Sequence, residues 1–308
     1  MRKVSTKYLK AGMKIARSVY DSRGRLLLAD GLELTESLIR RLSEMEIGFL
    51  YVEDELFAGD VPLCGIVNQR TRIKSVKLLK ETFKDLKNKI CINMQKEEII
   101  NSLIEEILGN CGTLINFYEI RTYDAYTFCH SVNVCILSLL IGIILGYDRQ
   151  KLKDIGIGAL LHDIGKIKIS RKILNKREAL TSEELRQIRR HPTEGFNILR
   201  RFQDIPLLSA NIVLQHHERL DGGGYPYRLS GDEIHEYARI VMIADVFDAM
   251  TSHRPYRAAY PVVQAADFIA LQAGRVFEAD FVTALFSNIL PLSAVNALML
   301  NRYSGKNK

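Results

Sequence analysis

This 308-residue chain contains only seven histidines (His130, His162, His191, His216, His217, His235 and His253), and several stand beside a carboxylate or a second imidazole. His162-Asp163 closes the apolar run Gly156-Ile-Gly-Ala-Leu-Leu161 and is followed by Ile164-Gly165-Lys166. Adjacent helix residues diverge by about 100°, so both can reach one ion only if it lies between those directions. Alternatively, the Asp carboxylate bridges two ions, each bound to its own imidazole. His216-His217 repeats the idea with two imidazoles. Taken singly, a histidine on a half-apolar helix is more often a hydrogen-bonded core residue than a ligand, and a His-Asp pair also occurs by chance. The order and setting of the group weigh the other way: His130 on a helix, His191 before a Pro192 suited to a first helical position, and Asp245 within an apolar helix. Together these residues imply a metal-dependent hydrolase.

The elements that must position them are mostly helices. From about residue 96 the apolar spacing is helical almost throughout, with segments expected at 97–108, 126–145, 151–161, 182–191, 192–202, 207–217, 234–250 and 261–271. The apolar run Val134 to Leu145 is about a dozen residues, short of the roughly 20 a bilayer requires, and reads as a buried core helix. Residues 1–66 read instead as a small α/β unit. Lys14–Tyr20 and Arg25–Ala29 are strand-like about a turn at Asp21–Gly24, Thr35 caps a helix with Leu38, Ile39, Leu42 and Met45 on one face, and Phe49–Val52 is a further strand. Between the two units, residues 67–95 carry an amphipathic helix with Val76, Leu79, Phe83, Leu86 and Ile90 on one stripe. The expected fold class is therefore mainly α, an all-helical domain over 96–308 preceded by a small α/β N-terminal domain.

Composition sets the bounds. With 47% hydrophobic and 26% charged residues the chain is an ordinary folded protein. Eight basic residues against two acidic ones between Arg70 and Lys89 supply six of its seven net positive charges. The charge thus describes one helix, which is read as packed on its own protein with solvated lysines, or as a dimerising or nucleic-acid-binding helix. Five cysteines without a CxxC pair argue against zinc knuckles and fit a reducing cytoplasm. No signal peptide and no membrane span are expected.

The motifs occur in a recognisable order. Tyr126-Thr-Phe-Cys-His130-Ser131, His162-Asp-Ile-Gly-Lys166, His191-Pro192 and His216-His-Glu-Arg-Leu-Asp-Gly-Gly-Gly-Tyr-Pro226 are followed by Ile243-Ala-Asp245-Val-Phe-Asp248 and Thr251-Ser-His-Arg254-Pro-Tyr256-Arg257. This series resembles the HD-GYP domain family over roughly residues 120–290, and the N-terminal 55 residues resemble, more loosely, the small domain often found ahead of it. The resemblance implies hydrolysis of cyclic di-GMP to pGpG and often on to GMP by two divalent ions, iron or manganese. It implies His130, His162, Asp163 and Asp245 as ligands of one ion, and the shared Asp163 with His191, His216 and His217 as ligands of the other. It also implies a metal-bridged hydroxide held at Asp163, with Lys166, Arg254 and Arg257 at the substrate phosphates.

Gly223 and Gly224 would let backbone approach the ligand, and Tyr225 would meet a base or ribose. Asp248, one turn after Asp245, would orient a ligand or accept a proton. His235 and His253 are left as surface residues. Some family members hold a third ion with a Glu four residues before the first histidine; Tyr126 stands there in this chain, so two ions are expected. The alternatives are a phosphodiesterase for another cyclic dinucleotide and a catalytically weak receptor or partner-docking module. The implied partners are cyclic di-GMP and a second copy of the chain meeting through the 70–90 helix, with no nucleic-acid polymer.

Overall fold

The computed structural model describes residues 2–16, 18–20, 26–45, 47, 49–53, 66–87, 95–110, 126–174, 176, 178–252 and 259–287. They fall into two compact units: the first takes the described residues up to Glu53 together with Tyr126, and the second takes the rest.

In the first unit, β1 (Arg2–Ser5) pairs antiparallel with β4 (Phe49–Val52), in register from Arg2 opposite Val52 to Ser5 opposite Phe49. A second pair joins β2 (Val19–Tyr20) to β3 (Leu26–Leu28). Helix α1 (Glu36–Glu44) starts where Thr35 Oγ1 accepts the Leu38 N–H at 3.3 Å. Val4, Ile15, Val19, Leu34, Leu42 and Val52 form a small core. Three details depart from the sequence reading. The hairpin strands are shorter than 14–20 and 25–29, because Lys14 and Ile15 instead bridge to Glu33 and Val52. Met45 leaves the apolar face: it is the C-cap residue and is 45% exposed. The basic start of the chain is a strand, and its pairing buries Val4. The turn at Asp21–Gly24 lies outside the described residues.

The second unit is helical: α2 (Gln69–Lys87), α3 (Gln95–Gly109), α4 (Tyr126–Ile144), α5 (Arg149–Leu161), α6 (Arg171–Leu174), α7 (Ser182–Ile188), α8 (His191–Leu199), α9 (Leu207–Gln215), α10 (Glu236–Thr251), α11 (Val262–Ala270) and α12 (Ala279–Ser287). Leu139, Leu140, Ile155, Ile212, Val213, Ile243, Phe247 and Phe286 are fully buried in one core. Helix α4 has the length and hydropathy of a membrane span over Thr127–Ile144, but 67% of that window is buried inside the fold, as a core helix requires. Asp148 caps α5 by accepting the Lys151 N–H at 2.9 Å. Thr181 and Glu184 form a reciprocal capping box on α7.

Helices α5 and α9 approach closely because Gly158 has no side chain; a Cβ there would stand 2.5 Å from Ile212 Cδ1. This crossing sets the distance between His162 and His216, which follow the two helices directly. On α2, Leu79, Phe83 and Leu86 are buried in the same core, while Lys74, Lys77 and Lys84 face solvent. The apolar stripe is covered by its own chain from Val76 to Leu86, and Ile90 lies outside the described residues. Helix α12 was not foreseen, yet Phe281, Val282, Leu285 and Phe286 are buried there.

Candidate metal centre

Three imidazoles are set by one local device. His162 follows the last residue of α5, His191 opens α8 three residues after the last residue of α7, and His216 follows α9. In each, Nδ1 lies 2.8 Å from the carbonyl oxygen three residues earlier: Ala159, Ile188 and Val213. A carbonyl only accepts, so each Nδ1 carries the hydrogen and each Nε2 is left with its lone pair. The helix ends gain a partner for a carbonyl that would otherwise lack one, and the rings gain a fixed direction.

Those lone pairs converge. All three rings are buried, and His162 Nε2 has no hydrogen-bond partner. His191 Nε2 and His216 Nε2 lie 3.2 Å apart, lone pair against lone pair. A proton is a poor remedy: burial pushes His191 down to about 4, and burial with His217 alongside holds His216 well below the imidazole range. Unpaired buried nitrogens are costly, and a cation among them answers the cost. The donor set fits a metal.

Two carboxylates complete it. Asp163 Oδ2 lies 3.4 Å from His162 Nε2 and its Oδ1 3.5 Å from His191 Nε2, so its two oxygens face different rings. Burial works against its charge, but Lys166 and His162 prevail and hold the carboxyl well below the usual range. Asp245 repeats the split from α10, with Oδ1 3.1 Å from His130 Nε2 and Oδ2 3.8 Å from His217 Nδ1. Three overlapping groups could each hold an ion: His130, His162 and Asp245; His162, Asp163 and His216; His191, His216 and His217. The fold thus brings together all seven residues expected to ligate metal. Gly165 is part of the reason. A Cβ on it would fall 1.9 Å from the His191 carbonyl oxygen, so only glycine lets the 3-10 turn Ile164–Lys168 lie against the start of α8.

His130 is held differently. Its Nδ1 is 2.7 Å from Asp248 Oδ2, and Asp248, itself buried, also accepts from Asn133 Nδ2 at 2.8 Å and Ser252 Oγ at 3.0 Å. Burial opposes a charge on this ring, but the bonds to Asp245 and Asp248 outweigh it and push the imidazole up to about 9. Of the two roles expected for Asp248, this is the geometry of a residue that orients a ligand. Lys166 Nζ lies 2.6 Å from Asp163 Oδ2, with its side chain 30% exposed.

The glycine-rich loop closes one side. The Tyr225 ring stacks on His217, centroids 4.7 Å apart and planes at 26°, and Arg189 lies over the Tyr225 ring with Cζ 5.3 Å from the centroid. Burial with Asp245 and Asp163 nearby pushes the Tyr225 phenol up, so it stays protonated. Glu218, a residue to which sequence reasoning gave no role, is fully buried and accepts the N–H groups of Tyr227 at 2.7 Å and Leu229 at 3.0 Å. Gly224 is required by this packing, since a Cβ would stand 2.4 Å from Glu218 Cα. Gly223 is freer, meeting only the Asp221 and Arg219 side chains. His235, expected as a surface residue, is the N-cap of α10, its Nδ1 accepting the Tyr237 N–H at 3.2 Å. Arg254, Arg257 and His253 lie outside the described residues, as does the Tyr126 side chain.

The pattern of the HD domain matches residues 123–280. The chain is 34% identical over 209 residues to the cyclic di-GMP phosphodiesterase PA4108 of Pseudomonas aeruginosa, a match covering 67% of this chain and 50% of that protein. It is 31% identical over 274 residues to the cyclic di-GMP phosphodiesterase response regulator RpfG of Xanthomonas campestris pv. campestris, covering 83% of this chain and 71% of that one. The chain thus spans about half the length of the first relative. Among solved structures, Bd1817, an HDG"Y"P protein from Bdellovibrio bacteriovorus, shares the fold with a TM-score of 0.60 at 19% identity, covering 93% of this chain and 98% of its own. With the domain pattern running over half its residues and a metal-ready set of histidines and aspartates inside that stretch, the chain belongs to the HD-domain family and is related to its cyclic-nucleotide phosphodiesterases.

Proposed function

We propose that this protein is a metal-dependent phosphodiesterase that hydrolyses cyclic di-GMP to pGpG. The observation that carries the reading is the split carboxylate of Asp163, whose two oxygens face imidazoles from different helix ends. In this reading His130, His162, Asp163 and Asp245 hold one divalent ion, and Asp163, His191, His216 and His217 hold the other. Mixed imidazole and carboxylate donors suit iron or manganese. When bound, such ions supply a water of lowered pKa and polarise a phosphoryl oxygen.

The chain's own residues do the rest. Asp163 holds the attacking water in line by its position between the two ligand groups. Lys166, at the partly open mouth, sets its ammonium against a non-bridging phosphate oxygen. Arg254 and Arg257 are assigned the flanking phosphate contacts, where a planar guanidinium fits two oxygens at once. Gly223, Gly224 and Tyr225 form the loop against which the nucleotide rests, with Tyr225 meeting a base or ribose. Asp248 keeps His130 in its ligating tautomer. Tyr126 offers no carboxylate for a third ion, so pGpG is the expected end product, with little onward hydrolysis to GMP. The protein acts in the cytoplasm in this reading. A homodimer through the 70–90 helix would use its basic face, since Leu79, Phe83 and Leu86 are covered within the chain.

The test is purified protein reconstituted with iron or manganese and incubated with cyclic di-GMP and, separately, other cyclic dinucleotides, with products resolved by chromatography. Formation of pGpG from cyclic di-GMP supports the reading. Confirmed metal loading without cleavage sinks it in favour of a receptor, and preferential cleavage of a different cyclic dinucleotide moves the specificity. Asp163→Asn should load fewer than two ions per chain by elemental analysis.

A further inference from the structure

The basic helix α2 precedes the residues matched by the HD domain, and one of its cations reaches toward the candidate metal centre. Lys74, Lys77 and Lys84 are exposed, whereas Arg72 is half-buried and its guanidinium donates from Nη1 to Asn133 Oδ1 at 2.8 Å. Asn133 donates from Nδ2 to Asp248 Oδ1 at 2.8 Å, and Asp248 Oδ2 lies 2.7 Å from His130 Nδ1. These side chains meet through helical spacing. His130 and Asn133 are three residues apart on α4 and share a face, as do Asp245 and Asp248 on α10.

The chemistry of the row leaves one direction for its hydrogen bonds. A guanidinium has only donors and an ionised carboxylate only acceptors. The Asn133 amide between them must turn its oxygen to Arg72 and its nitrogen to Asp248. Asp248 then accepts at both oxygens, so His130 must present N–H at Nδ1. Its Nε2 is left for the side where His162 and Asp245 converge. A chain of like-directed hydrogen bonds in a low-dielectric interior strengthens each member, and its charged end is Arg72.

We infer that Arg72 and Asn133 are positioning residues for the ligand His130, so that α2, outside the matched domain, is a working part of the metal centre. This rests on the proposed function only in taking His130 as a metal ligand. Partners behind a metal-bound histidine commonly change metal affinity by about 10–100-fold.

The test is Mn2+ binding to the full chain, followed by electron paramagnetic resonance, with thermal unfolding alongside. Arg72→Ala should weaken one of the two ions about tenfold and leave the other unchanged. Arg72→Gln, which keeps a planar donor, should recover most of that loss. Arg72→Ala should add nothing in an Asn133→Ala background, as expected if Arg72 acts through Asn133. Lys74→Ala, on the exposed face, should bind both ions as the parent does. Unchanged Mn2+ binding in Arg72→Ala overturns the inference, and so does equal weakening of both ions. If Arg72→Ala does not fold, Asn133→Ala decides by the same criterion. Because the readout is metal affinity, a parent protein that binds two ions yet leaves cyclic di-GMP intact overturns the functional reading alone.

Discussion

The rings of Tyr225 and His217 stack, 4.7 Å between centroids and inclined by 26°, which ties the glycine-rich loop to an imidazole of the candidate metal centre. The tyrosine steadies a ring whose side chain is 26% exposed, and under the proposed function it would also meet the nucleotide. Aromatic pairs are worth about 0.5–1.5 kcal/mol beyond their buried area. Tyr225→Phe should keep the stack and most of the activity. Tyr225→Ala should lower kcat/KM by about tenfold or more. Steady-state kinetics on cyclic di-GMP distinguish them; equal losses in both variants would place the effect in the hydroxyl.

Glycine substitutions separate packing from ligand approach. Gly165→Ala forces a methyl group against the His191 carbonyl, so Asp163 and His191 must part. Metal content should fall below two ions per chain by elemental analysis. Gly223→Ala meets only movable side chains and should load metal normally. A marked rise in KM for Gly223→Ala with full metal content would indicate that substrate approaches the backbone there.

Glu218 anchors the loop from beneath. Hydrogen bonds to a charged group contribute about 1.5–3 kcal/mol, and Glu218→Gln removes the charge and sets an N–H donor against a backbone N–H. Denaturant unfolding should show a loss of about that size. An unchanged midpoint would mean the loop finds other partners.

Protons and metal should compete at one histidine. In metal-free protein the His130 ring keeps its proton to about pH 9, against an ordinary value of 6.5. A raised value in the folded state contributes stability that is complete below 6.5 and is lost as pH climbs through 9. An ion on Nε2 must expel that proton, so affinity on this side should rise about tenfold per pH unit up to that point. His191 and His217, held down to about 4 and about 3 by burial, release nothing near neutrality. Mn2+ calorimetry at pH 7 in buffers of different ionisation heat should therefore register release of about one proton per chain. Zero release would contradict the assignment of His130.

The candidate ligands were legible in the sequence because their types are rare and their neighbours distinctive: a histidine before aspartate, a histidine pair, a histidine before proline. Their supports were not. The i−3 carbonyl that fixes each ring is a backbone group and carries no residue signature. Asn133 and Arg72 are ordinary polar residues on helices, and their role appears only when α2, α4 and α10 are packed. Glu218 directly follows the histidine pair, but its partners are backbone amides nine and eleven residues on. In the N-terminal unit, β1 escaped notice because four residues rich in charge look like a tail until β4 pairs with them.

The shared carbonyl clamp behind His162, His191 and His216 has a consequence for which ion the protein accepts. Turning any of these rings means giving up a bond to a carbonyl in the last turn of α5, α7 or α9, so the donors keep their spacing and cannot reshape themselves around an arriving cation. The mould is cast by the secondary structure before anything fills it. Under the proposed function, an ion preferring another geometry would have to break one of these bonds, and selectivity would then lie in the ends of α5, α7 and α9 as much as in the imidazoles themselves.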